Sequence, residues 1–265
     1  MPPPMARLRI LRSLLFGYPN MQLDRLDYDD YWDHRKPSAV QPRYHLIADI
    51  VEPHSSVLDL GCGDGALLAY LAEAKHVQAV GVDVSQKAVE RARSRGVQAY
   101  VADITEEGYR PQQVYDYVLL SEVLEHLEDP EDLLLRLKGF VRRGLLVSVP
   151  NIGFWPYRLR LLLGRFPVQW ALHPGEHLRY WSVADFVWWS RALGYEVDAV
   201  VGTNGSNPLG LKLFKSLPGL FGLQILYCLR APAGAATTGD SGPRLNGTNP
   251  PGQDSVVVDD SPRAE

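Results

Sequence analysis

Residues 57–71 read VLDLGCGDGALLAYL. An apolar run from Val57 to Leu60 meets a glycine-rich turn, Gly61 to Gly65, and the turn opens into a pattern with helical spacing. A strand, a sharp reversal and a helix N-terminus form the corner on which open α/β sheets hold nucleotides. Gly61, Gly63 and Ala66 even satisfy the dinucleotide fingerprint in its GxGxxA form, which alone is weak evidence. The carboxylates point elsewhere. Asp59 stands two residues before the first glycine and Asp64 lies inside the loop, where a pyrophosphate would meet like charge in a partly dry site. A ligand carrying an ammonium and a sulfonium, such as S-adenosylmethionine, suits this corner better.

Outward from the corner the pattern alternates. Short apolar, β-branched runs at 56–60, 79–83, 99–102, 115–120 and 145–149 are separated by helical patterns at 66–75, 86–95 and 131–141. Such alternation implies right-handed crossovers and a mostly parallel sheet covered on both faces, so the fold class is α/β, doubly wound. Two further strands are expected at 196–201 and 223–230, which makes seven, and the long connection between them leaves room for a short helix. Asp129, Pro130 and Glu131 read as an N-cap, a proline at the first helical position and an acidic first turn. Ser182 with Asp185 reads as a capping box, and Gly194 as the left-handed end of that helix.

VLDLGCGDG resembles the first motif of class I S-adenosylmethionine-dependent methyltransferases, and the resemblance runs from about Tyr28 to Arg230. It implies a Rossmann-like methyltransferase fold with S-adenosylmethionine as cofactor. It implies binding residues Asp59, Gly61, Cys62, Gly63 and Asp64 in the corner; Asp83 with Val84, in GVDVS, at the ribose; and Asp103 with Ile104, in VADI, at the adenine. Ser121, Glu122 and Val123, after the fourth strand, resemble the segment that lines the methionine moiety.

For the chemistry, His126 in EVLEH has an intrinsic pKa suited to taking an acceptor's proton near neutrality; its other reading is a helix-start histidine that packs beneath the ligand. Glu122, Glu125 and His126 spell ExxEH, which resembles the metal-binding motif of some small-RNA and quinone-precursor methyltransferases, with His173 or His177 to complete a site. The same string is widespread in relatives that use no metal, so no metal is assigned. Tyr28, Tyr31 and Trp32, with His34, are expected to form an aromatic lid. The segment 151–181, after the fifth strand, is expected to be a helical and aromatic cap. It contributes Trp155, Arg158 and His177 to the acceptor pocket, beside Phe154, Tyr157, Phe166, Trp170 and Trp181, while Arg160, Arg165 and Arg179 would suit an anionic acceptor.

The run VSVPNIGFWPYRLRLLLGRFPV, with HLRYWSVADF and LGYEV after it, is similar to the MetW-like methyltransferases associated with methionine biosynthesis. That resemblance implies a partner role beside a homoserine acyltransferase. A longer C-terminal portion, a basic N-terminal segment and EVLEH depart from that family and speak against the partner role.

Bulk properties set the remaining bounds. A net charge of −4 and a pI near 6.0 give no surplus of cations for nucleic acid, and none is expected as a partner. Cys62 and Cys228 are too few for a disulfide scaffold, and the expected compartment is the cytoplasm. Residues 1–25 form a basic amphipathic segment that either packs on the domain or touches a membrane surface; 26–230 form the folded domain; and 231–265, rich in Gly, Pro, Ser and Asp, are expected to be a disordered tail. Two functions remain in view. One is methyl transfer to the O or N of a small molecule, a lipid or quinone at the membrane surface among them; the other is a cofactor-binding partner of an acyltransferase.

Overall fold

The computed structural model describes residues 9, 12–18, 27–169, 173–203 and 217–231. The expected tail beyond Ala231, Trp170 and most of the connection 202–222 lie outside the described residues.

Seven strands form one sheet in the order β3-β2-β1-β4-β5-β7-β6. They are β1 (Ser56–Leu60), β2 (Gln78–Asp83), β3 (Gln98–Val101), β4 (Tyr115–Ser121), β5 (Val141–Pro150), β6 (Glu196–Thr203) and β7 (Gln224–Arg230). The first five run parallel, with Val57 opposite both Ala79 and Tyr117. β7 enters antiparallel between β5 and β6. Because helices cover both faces, β1 and β4 are almost wholly buried and read as continuous apolar runs. Chain order reverses between β1 and β4, and the crevice for a ligand opens beyond their C-terminal ends.

The helices are α1 (Tyr28–His34), α2 (Pro42–Ile50), α3 (Ala66–Lys75), α4 (Gln86–Ser94), α5 (Pro130–Leu137), α6 (Trp155–Leu162), α7 (Val183–Ala192) and α8 (Pro218–Phe221). Their ends follow the expected chemistry. Asp129 accepts from the Asp132 amide at 2.9 Å, Ser182 and Asp185 form the capping box, and Gly194 has φ +81°. One boundary differs. The pattern at 131–141 continues as a helix only to Leu137, passes through a 3₁₀ turn and becomes strand at Val141, because Val141 pairs with Tyr115 four residues before the apolar run begins.

Two cores sandwich the sheet. One gathers Leu58, Leu120, Val147 and the stacked pair Phe186 and Tyr227, 3.9 Å apart; the other gathers Leu68, Leu71, Val89 and Leu119. Cys62 and Cys228 are free and buried in the second. Of the N-terminal segment, residues 9 and 12–18 are described, and the latter contact the domain: residues 12–16 are helical, the Leu14 carbonyl accepts from the buried Arg160 at 3.2 Å, and Tyr18 lies 4.6 Å beneath the same guanidinium. Among the described residues no helix is long and apolar enough to cross a membrane.

Asn151, 1% exposed, joins the cap to the last helical turn before β7. Its side-chain amide donates to the carbonyls of Gly219 and Gly222 at 2.9 and 2.8 Å, and its oxygen accepts from the Gly153 amide at 2.9 Å. Asn151→Ala strands three backbone groups, so a loss of about 3 kcal/mol is expected. The thermal midpoint should fall by roughly 6–10 °C, and a midpoint within about 2 °C of wild type would deny this junction its role.

Candidate functional site

The loop after β1 is built by sterics and by its neighbour strand. Gly61 and Gly63 have φ of +77° and +54°, and each is also tightly covered. A Cβ on Gly61 would stand 2.5 Å from the Val123 side chain, and one on Gly63 would stand 2.6 Å from the Trp32 ring. The amides of Gly61 and Cys62 donate to the Val82 carbonyl, and the Gly63 amide donates to Asp83 Oδ2 at 2.8 Å. Asp83 Oδ1 accepts from the Ser85 amide at 2.9 Å. This carboxylate thus closes the loop and still has lone pairs facing the crevice.

Beyond the strand ends lies a cavity of about 600 Å³. Asp59, Gly61, Cys62, Gly63 and Asp64 line it at the corner; Asp83, Val84, Asp103 and Ile104 line one side; Ser121, Glu122, Val123 and His126 line the other. Every residue expected at the cofactor is therefore gathered around one space. Tyr28, Tyr31 and Trp32 on α1 line the same cavity. Asp27 caps α1, and Asp29 reaches across to the Ser85 hydroxyl and the Lys87 amide at the start of α4. Arg35 lies over both the Tyr31 and Trp32 rings.

The charges are less simple than the sequence suggested. Asp64 is already paired: it accepts from the Ser38 amide at 2.7 Å and from Arg95 at 2.8 Å. Burial acts to raise its pKa, but these partners outweigh it and hold the carboxyl below the ordinary range. Its charge serves the loop rather than a ligand. Asp59, 2% exposed with Oδ1 unpartnered, is the available acid. Burial and then the neighbouring Asp83 push it up to about 8.

Four arginines of the cap do not face the cavity, which corrects the expectation of an anionic acceptor site. Arg158 donates to the Gly153 carbonyl, Arg160 to those of Phe166 and Leu14, and Arg179 to Glu128 and Glu131, while Arg165 lies over the rings of Phe16 and Tyr18. Trp155 packs against the ring of Phe154 and does not line the cavity either. Carbonyls at the ends of the cap's short helix need donors, and arginine is the side chain with enough of them. His177 sits behind His126, the two rings edge to face at 4.8 Å.

Sequence reasoning missed Arg43. It enters the cavity from the first turn of α2, donates to Ser121 Oγ at 3.0 Å and lowers the pKa of Asp59. The only signal was a lone arginine in the first turn of the helix PRYHLIADI. Also missed was Gln224, which β7 brings beside β5 so that its amide donates to Glu122 at 2.6 Å. Glu122 accepts from Ser148 as well and holds φ +60°, a left-handed conformation costly for a side chain of its size.

A second cavity adjoins the first, with Tyr28, His126 and Glu176 lining both. His126 Nδ1 donates to the Glu176 carbonyl at 2.6 Å, which leaves Nε2 as the acceptor nitrogen, and burial lowers its pKa. Burial and then His126 push His177 down to about 4. Both rings are therefore neutral near pH 7.

Comparison with known proteins follows the geometry. The family model "Methionine biosynthesis protein MetW" matches residues 41–229, and the chain belongs to that family. The chain is 39% identical over 122 residues to (S)-coclaurine N-methyltransferase of Thalictrum flavum, covering 43% of this chain and 33% of that protein. It is 28% identical over 157 residues to the bifunctional methionine biosynthesis protein MetXA/MetW of Rhodopirellula baltica, covering 52% and 25%. The chain spans between a quarter and a half of the length of these curated relatives. A S-adenosylmethionine-dependent methyltransferase from Aquifex aeolicus superposes with a TM-score of 0.53 at 16% identity, over 77% of this chain and 98% of that one. The fold is the Rossmann-like one of those enzymes.

Asp59 gives a pH test. Its folded-state pKa of about 8 exceeds the ordinary carboxyl value of 3.8, so the folded protein keeps a proton that the unfolded chain releases. The stability tied to that proton is whole below the unfolded pKa and is lost as pH rises toward 8. Between about pH 5 and about pH 8.5 the wild-type melting temperature should fall several degrees further than that of Asp59→Asn, roughly. Parallel pH profiles would show that Asp59 ionises as an ordinary carboxyl.

Proposed function

We propose that this member of the MetW family transfers a methyl group from S-adenosylmethionine to a small molecule. The observation that carries the reading is the convergence of Asp59, Asp83, Asp103 and Arg43 on one cavity at the sheet's reversal point. One feature favours a cationic ligand there, the buried, unpartnered Oδ1 of Asp59. Asp83 would accept both ribose hydroxyls with the lone pairs that Gly63 and Ser85 leave free. Asp103 would accept from the adenine amine while Ile104 covers the ring. Asp59 would face the ammonium of the amino-acid end and Arg43 its carboxylate, a charge match that a pyrophosphate cannot make.

When bound, the cofactor supplies a methyl group on a sulfonium, already a good leaving group. The protein's work is therefore alignment. Tyr28, Tyr31 and Trp32 would exclude water from the transfer, and the second cavity would hold the acceptor beyond His126. His126 Nε2, freed by the bond from Nδ1 to Glu176, has two uses: to take the acceptor's proton, or to hold an electrophile that makes the proton easier to lose. An O or N acceptor fits this arrangement best.

A second reading is favoured by the family's description and by the relative that joins MetXA to MetW: the chain would bind the cofactor as a subunit beside an acyltransferase. Labelled methyl donor with a metabolite extract separates the two, since the subunit forms no methylated product and co-purifies with the acyltransferase.

Calorimetry with S-adenosylhomocysteine tests the shared premise. Wild type should bind at micromolar concentration, and Asp83→Ala should lose at least about tenfold in affinity, the loss of about 1.4 kcal/mol expected of broken charge-assisted hydrogen bonds. Unchanged affinity would remove the ribose from Asp83. His126→Ala should keep that affinity while turnover drops by about 100-fold or more. Full turnover would put the chemistry elsewhere.

A further inference from the structure

Behind the cofactor cavity stands a group of polar atoms with no partner. Glu125 is 1% exposed, and neither of its carboxylate oxygens takes part in a hydrogen bond. Nδ1 of His177 is likewise buried and unpartnered. His126 Nε2 stands 4.0 Å from Glu125 Oε1, and one ligand-type atom from each of Glu125, His126 and His177 lies within 4.8 Å of the others. A carboxyl left in this state is expensive. Protonation removes the charge but leaves the hydroxyl without an acceptor, because 4.0 Å is too long for a hydrogen bond from the acid to Nε2.

The surroundings hold the three residues in register. His126 gives its Nδ1 proton to the Glu176 carbonyl at 2.6 Å, the contact by which metal-binding imidazoles are commonly oriented. The amides of Leu178 and Arg179 donate to the Glu125 carbonyl at 2.7 and 3.2 Å. The loop that carries His177 is thereby tied to the turn that carries Glu125 and His126.

We propose that Glu125, His126 and His177 bind a divalent first-row transition-metal ion. Ligand atoms about 2.0–2.2 Å from such an ion stand roughly 3–3.5 Å apart, so side-chain shifts of about 1 Å close the present spacing. Two imidazoles and one carboxylate select Mn²⁺, Fe²⁺, Co²⁺ or Zn²⁺ over Mg²⁺ and Ca²⁺, which prefer oxygen alone. Glu122 is outside the set, although ExxEH suggests it, because Ser148 and Gln224 already occupy its two oxygens. Three protein ligands leave coordination positions open beside His126, which lines both cavities. There the ion would take an oxygen of the acceptor; that last step alone rests on the methyltransferase reading, and it gives Nε2 the second of its two uses.

The test uses tag-free, metal-stripped full-length protein titrated with Mn²⁺, Co²⁺, Zn²⁺ and Mg²⁺ separately. Calorimetry follows each ion, with Co²⁺ absorption and Mn²⁺ paramagnetic resonance as coordination signatures. One equivalent of a transition ion should bind, more tightly than Mg²⁺, with affinity reduced at least tenfold in both Glu125→Gln and His177→Asn and less than threefold in Glu122→Gln. Binding of S-adenosylhomocysteine, measured on the same samples, shows that His177→Asn is folded. Its loss from wild type would refute the cofactor reading without touching the metal. No stoichiometric binding of any ion up to about 1 mM would overturn the proposal, as would binding that depends on Glu122 but not on Glu125 and His177.

Discussion

The hydrogen bonds that stitch the loop after β1 to the end of β2 govern the rest of the site. The Val82 carbonyl receives the amides of Gly61 and Cys62, and the Asp83 carboxylate receives those of Gly63 and Ser85. These bonds hold the reversal in a shape that only glycine tolerates, with Val123 against Gly61 and Trp32 against Gly63. They also start α3 and α4 side by side, since Ser85 caps α4 and Gly65 precedes α3. Helix α1 depends on the same knot, because Asp29 on α1 accepts from the Ser85 hydroxyl. The glycine loop, the Asp83 carboxylate and α1 are thereby tied into one unit.

That unit concentrates buried acids. Asp59, Asp83, Glu122 and Glu125 lie at the C-terminal edge of three neighbouring strands, and burial raises the pKa of each. Arg43 is the cation that reaches several of them, and it does not form a close ion pair with any. Such a cluster lowers stability in the free protein. A cationic ligand at Asp59 and a metal ion at Glu125 would each relieve part of that cost, so ligand binding and stability are coupled through the same carboxylates.

Much of this was legible in the sequence, for identifiable reasons. The parallel strands are buried on both faces and therefore spell continuous apolar runs, and the caps at Asp129 and Ser182 are local chemistry. The glycines were visible because they follow a strand and open a helix, and Asp83 and Asp103 through the resemblance to class I methyltransferase motifs at successive strand ends. What escaped depends on contacts distant in the chain. Arg43 comes from a helix before the first motif, Gln224 arrives with an antiparallel strand, and Asp64 is neutralised by Ser38 and Arg95 from two separate segments. The short match to ExxEH included Glu122 as a ligand, and only the fold reveals that Ser148 and Gln224 have claimed it.

The cap's arginines carry the last step. Read as a string, Arg158, Arg160, Arg165 and Arg179 suggest an anion clamp, yet each is spent on backbone carbonyls, rings or the Glu131 carboxylate. What lines the second cavity instead is acidic: Glu107, Glu128, Asp129 and Asp132, with His126 and His173. A chamber of this sign draws cations and repels free carboxylates and phosphates. An anionic acceptor could enter it only if a bound cation reversed the local field at its inner end, where Glu125, His126 and His177 meet. On the proposed reading the choice of acceptor would turn on that inner cluster, which the amides of Leu178 and Arg179 tie to the end of the cap.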